Sequence, residues 1–158
     1  MKIAFVFILL VAAMASFREA SAGQGDPLCR PLRGFVASVQ PGEAREFVFH
    51  TRWGGDFNDS SGEPTIYAKR CIHSGYAPAK AVCAYLMDHG TVEFSGNNVK
   101  RALACLSSGT HLANQVGVNQ GSFSLSYGTQ KRGSLLTVEM KEDMDIGGMA
   151  MSVKAEGY

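Results

Sequence analysis

From Ser122 onward, apolar and polar side chains alternate in three separate runs. Ser122-Phe123-Ser124-Leu125-Ser126-Tyr127 sets an apolar row against a hydroxyl row. Leu136, Val138 and Met140 alternate with Thr137, Glu139 and Lys141, and Met149, Met151 and Val153 alternate with Ala150, Ser152 and Lys154. A period of two sends successive side chains to opposite faces of a strand, so each run reads as a strand with one buried and one wet face. Turns at Gly128–Gly133 and Gly147-Gly148 separate the runs and give a C-terminal β-meander.

Nearer the N-terminus, Phe35-Val36-Ala37-Ser38-Val39 and Arg45-Glu46-Phe47-Val48-Phe49 read as two further strands. Pro41-Gly42 between them supplies a fixed φ followed by a permissive residue, the chemistry of a hairpin turn. The stretch Trp53–Pro64 fits neither period and reads as a long exposed loop, after which Thr65–Ile72 is again extended. In the centre the period changes. Val82, Tyr85, Leu86 and His89 share one helical face, with Pro78 suited to the first turn and Gly90 to the stop. Val99, Ala102, Leu103 and Leu106 repeat that spacing in a second helix, about Asn98 to Ser107, after a short extended link at Thr91–Phe94. The expected fold is therefore α+β: a mainly antiparallel β-sheet, made of a hairpin plus the C-terminal meander, with two central helices.

The first residues belong to a different pattern. Lys2 precedes an unbroken apolar run from Ile3 to Ala15, and Ala20-Ser21-Ala22 matches the small-x-small site of signal peptidase. The run is shorter than the roughly 20 residues that a membrane-spanning helix needs. Residues 1–22 thus read as a cleavable secretory signal and 23–158 as a single soluble globular domain in the periplasm or outside the cell. Cleavage leaves equal numbers of basic and acidic residues, so the mature domain has zero net charge. Such a chain has no overall attraction for nucleic acid or anionic lipid, and neither nucleic acid nor a further membrane span is expected.

Four cysteines follow the signal: Cys29, Cys71, Cys83 and Cys105. An even number in an exported domain favours two disulfides, and the wide spacing lacks the close pairs of zinc sites. Three connectivities are possible. The nearness of the two central helices suggests Cys83–Cys105, which leaves Cys29–Cys71.

No motif for catalysis stands out. A G-x-S-x-G elbow and an H-E-x-x-H helix are both missing. His89 completes an apolar helical face and reads as a packed histidine, while His50, His73 and His111 lie near element ends, where exposure is expected. Asp56, Asn58, Asp59 and Glu63 fail the EF-hand spacing, so no metal and no cofactor is expected.

Binding is better represented. Trp53-Gly54-Gly55-Asp56-Phe57 combines the only Trp with a second aromatic and an acid, the residue types of contact hot spots on loops. His73-Ser74-Gly75-Tyr76 and Ser107-Ser108-Gly109-Thr110-His111 are two further small polar loops. The candidate binding residues are Trp53, Asp56, Phe57, Ser74, Tyr76, Ser108 and His111. Ser74-Gly75-Tyr76 resembles the Ser-Gly-containing loops of bacterial periplasmic lysozyme inhibitors, a resemblance of three residues that implies a lysozyme-blocking, β-rich protein. The expectation is a non-enzymatic binder that recognises or inhibits a protein partner, such as a cell-wall hydrolase or a toxin. The alternatives are a small exported hydrolase with a spatially gathered His/acid site, an envelope- or carbohydrate-binding module using Trp53 and Phe57, and a structural subunit of an envelope assembly.

Overall fold

The computed structural model describes residues 25–59, 62, 64–110, 112–113 and 115–158. The export signal read at residues 1–22 lies outside them, as does His111. The elements in order are α1 (Cys29–Ser38), β1 (Ala44–Trp53), β2 (Tyr67–Ile72), α2 (Ala77–His89), α3 (Gly96–Leu106), β3 (Gly121–Thr129), β4 (Arg132–Glu142) and β5 (Met149–Gly157). The strands form one antiparallel sheet in the order β2-β1-β5-β4-β3. This is the expected α+β architecture, with the meander and both central helices in place and a third helix at the N-terminus.

That third helix replaces an expected strand. Phe35–Val39 belongs to the end of α1 and its C-cap, because Leu32, Phe35 and Val36 lie on one helical face that is fully buried. Pro31 falls in the first turn, where its missing N–H breaks no helical hydrogen bond. Pro41-Gly42 consequently makes no hairpin. It links α1 to β1, with Gly42 at φ 79° and Pro41 bridging to Gly157. The hairpin is formed instead by β1 and β2 across residues 54–66. The Thr91–Phe94 link is a turn, not extended chain.

Register assigns every strand two faces. Phe47 and Phe49 on β1, Leu136, Val138 and Met140 on β4, and Met151, Val153 and Ala155 on β5 form one apolar layer. The three helices pack on that layer with Leu32, Phe35, Val36, Val82, Leu86, Val99 and Leu103. The opposite face carries Glu46, Val48, His50 and Arg52 of β1, with Ser152 and Lys154 of β5 and Thr137 and Glu139 of β4.

The disulfides are Cys29–Cys105 and Cys71–Cys83. The expected Cys83–Cys105 and Cys29–Cys71 pairs are both overturned. α1 lies between the other helices, packing against α2 and α3 alike, so Cys105 of α3 faces Cys29 of α1 while Cys83 of α2 faces β2. A polar joint reinforces the arrangement: Arg101 of α3 donates through Nε and Nη2 to both carboxylate oxygens of Asp26, at 2.6 and 2.8 Å, and through Nη2 to Tyr85 of α2. The same Asp26 accepts the Leu28 N–H at the start of α1. Its carboxyl is held below the usual range, first by the Arg101 hydrogen bonds. Two disulfides in a small domain fit an oxidising compartment. Among the described residues no helix is long and apolar enough to cross a membrane.

Candidate functional site

β1 ends on Trp53, and register places Trp53 directly opposite Tyr67, the first residue of β2. Neither ring is covered: Trp53 is 54 % and Tyr67 52 % exposed. Ile66, just before Tyr67, is also exposed, and its carbonyl accepts the Gly54 N–H to close the base of the hairpin loop. Beside Trp53 runs an open groove of about 450 Å³, lined by Arg52, Asn58, Glu93, Glu142, Met144 and Met149 among others. Met144 at its rim is 75 % exposed. Glu93 and Ser95 also line the next hollow, where Phe94 stands out into solvent. Single exposed apolar side chains are common on protein surfaces. Trp53 and Met144 border this groove, and exposed apolar side chains gathered beside a groove are candidates for a contact surface.

The loop that carries this surface is clamped from below. Phe57, 4 % exposed, folds onto the open face of the sheet with its ring edge-on to His50 and the Arg70 guanidinium 4.7 Å above it. Arg70 also grips Asp59 through two hydrogen bonds of 2.7 and 2.9 Å. Arg52 donates to Asn58, and the Asn58 N–H donates to the Ile146 carbonyl of the β4–β5 turn. That turn approaches β1 closely because Gly148, at φ 101°, has no Cβ to strike the Thr51 carbonyl oxygen. Two loops are thereby locked to each other and to β1, which holds Trp53 at the groove.

Among the described histidines, His50 is the one this clamp buries, at 5 % exposure. The expected exposure is overturned because Phe57 covers the ring. His73 is half-buried, and His89 reverses its expectation: it lies exposed on α2, with its ring beside Tyr85. Burial pushes the His50 imidazole below the usual histidine range, and Arg70 adds to this, while Asp143 and Asp59 pull the other way. Its Nδ1 sits 3.7 Å from Asp143 Oδ2, too far for a hydrogen bond. Nδ1 thus makes no hydrogen bond, and burial favours the neutral imidazole packed beneath Phe57.

A pH dependence follows. The unfolded chain takes up a proton on this residue near pH 6.5, while the folded protein resists it to a lower pH. Below about pH 6.5 the unfolded state therefore binds more protons and stability falls with pH, at no more than about 1.4 kcal/mol per pH unit for one site, until the folded histidine protonates. Denaturant titrations across that range should show this limb in the native protein. The limb should vanish in His50→Gln, and its survival there would assign the acid sensitivity to another group.

The sequence-derived candidates separate. Trp53 lines the groove, and Asp56 lies in the adjoining loop, accepting the Phe57 N–H. Phe57 supports the surface from inside. Ser74 is exposed at φ 46° in the turn after β2, so the whole of that strand, about 17 Å long at strand rise, lies between it and Tyr67. Tyr76 is half-buried and bonded to Ser38, with Arg45 over its ring, so it anchors α2. Ser108 lines a different groove with Arg33, Ser126 and Tyr127 at the far end of the sheet. Tyr67, Ile66, Phe94 and Met144 went unmarked in the sequence, where an apolar residue next to a strand or turn carries no sign of exposure. Comparison with known proteins finds no matching family model, no matching curated protein and no matching solved structure. The lysozyme-inhibitor resemblance at Ser74-Gly75-Tyr76 therefore rests on those three residues alone.

Proposed function

We propose that this is an exported, periplasmic binding protein that engages another protein through the surface around Trp53 and Tyr67. One observation carries the reading. A cross-strand aromatic pair stands half-exposed at the end of a clamped hairpin, beside a groove with Met144 on its rim and Glu93 and Glu142 in its walls. Rigid aromatic anchors lose little conformational entropy on binding and dominate contact energetics. The mixed polar and apolar groove suits a protein side chain, and a hydrolase or toxin of the cell envelope is the class of partner in view. Occlusion of such a partner needs no chemistry from this chain, consistent with a buried, neutral His50.

The test is capture of partners from an envelope fraction by the oxidised protein, alongside W53A/Y67A. The native protein should retain a stoichiometric protein partner, and the double variant should bind it about 100-fold more weakly, as for two adjacent hot-spot residues. Retention of the same partner at undiminished affinity by W53A/Y67A would move the site elsewhere. Glycan binding by the native protein without any protein partner would favour the carbohydrate-module alternative.

A further inference from the structure

The two edges of the sheet are built differently. β2 is six residues long, carries Lys69 and Arg70, and is tied by Cys71 to α2. Short length and charge are two of the usual ways in which an edge is kept from pairing with another chain. β3, at the other edge, is nine residues long and holds no proline and no charged residue. Its sequence, Gly-Ser-Phe-Ser-Leu-Ser-Tyr-Gly-Thr, is nearly the same read from either side of Leu125. Ser124 mirrors Ser126, and Phe123 mirrors Tyr127. The helices contact β4 more than β3, and Phe123, Leu125 and Tyr127, packed against the rim of the core, are only partly buried. On the other face Ser122, Ser124 and Ser126 are exposed.

We infer that β3 pairs antiparallel with β3 of a second copy about a two-fold axis at Leu125, joining two five-stranded sheets into one. A two-fold contact must be self-complementary, and the mirrored centre of the strand, residues 123–127, meets that requirement. Leu125 meets Leu125 of the second copy, and Phe123 meets its Tyr127, which completes the apolar row that the helices leave half-covered. Ser124 meets Ser126, a hydroxyl pair suited to cross-strand hydrogen bonding. Trp53 and Tyr67 lie at the opposite edge, so the dimer presents two open copies of the surface described above. The pairing does not depend on that surface having a partner.

Sedimentation equilibrium of the oxidised protein over a range of concentrations should show reversible dimerisation. S124K/S126K sets like charges opposite each other twice across the axis and should weaken association roughly tenfold, and S124E/S126E should do the same. Mixing the two variants restores opposite charges, so a heterodimer at least as tight as the native dimer should form. That recovery also shows that both variants are folded. Amide exchange over residues 121–129 of the native protein should slow as concentration rises. A monomer at every concentration overturns the inference, as does a dimer indifferent to both charge variants or concentration-independent exchange along β3.

Discussion

Replacing Cys29 and Cys105 together by Ala should cost about 4.5 kcal/mol, whereas replacing Cys71 and Cys83 should cost about 3 kcal/mol. The difference comes from loop length: the first link closes 76 residues of sequence separation and the second 12. In the chain-entropy account, the longer loop removes more freedom from the unfolded state. For a domain of this size, Tm should fall by on the order of 15 °C for C29A/C105A and 10 °C for C71A/C83A. The first loss is about a third to nearly all of the roughly 5–15 kcal/mol stability of an ordinary domain, so that variant should show the larger unfolded fraction at growth temperature. Calorimetric melts of the two double variants provide the comparison. A larger loss from C71A/C83A would show that the short link matters for reasons other than chain entropy.

Phe35→Ala should cost about 4 kcal/mol, the largest loss expected from a single core truncation. Phe35 is completely buried at the meeting point of α1, β1 and the start of α2. Its ring lies edge-on to Phe47 at 5.4 Å and to Tyr76 at 6.1 Å. Truncation removes the transfer energy of the ring, both aromatic contacts and the filling of a site that three elements enclose. Phe35→Leu keeps much of the volume and should lose about half as much or less. Urea unfolding of the two variants measures both. A loss under about 1 kcal/mol for Phe35→Ala would mean that Phe35 lies outside the core.

Phe35 also shows where the sequence could be read and where it could not. Taken alone, Phe35–Val39 has the composition of a strand. Begun at Leu28, the pattern Leu28, Leu32, Phe35, Val36, Val39 is helical, but Pro31 and Gly34 interrupt it in sequence without interrupting α1. The meander was legible because β3, β4 and β5 each have one wet face, which makes alternation visible. The ends of α2 were legible from Pro78 and Gly90, and Gly90 is required there because a Cβ would meet the Phe49 ring. The disulfide pairing was not legible, since it depends on α1 lying between α2 and α3.

Around the candidate groove, Trp53 is conspicuous in the sequence from its type and its setting among glycines, but its exposure is not legible there. The opposite fates of Trp53 and Phe57, four residues apart, are not legible either, because only the fold-back of the loop decides them. Phe57 is drawn inward by Arg70 and His50, which come from two different strands. Tyr67 and Met144 join Trp53 through strand register and the β4–β5 turn, two long-range relations that local sequence does not encode.

The proposed contact surface is marked by Trp53, and the chain offers a direct probe of it because it holds only one Trp. The measurement is fluorine NMR of fluorotryptophan-labelled, oxidised protein, titrated with the protein partner it captures. A single resonance is expected, with the exchange and solvent response of an exposed ring, which shifts or broadens in step with complex formation and loses its solvent response at saturation. A complex that forms at full stoichiometry while that resonance stays unmoved and solvent-exposed would contradict the proposed surface.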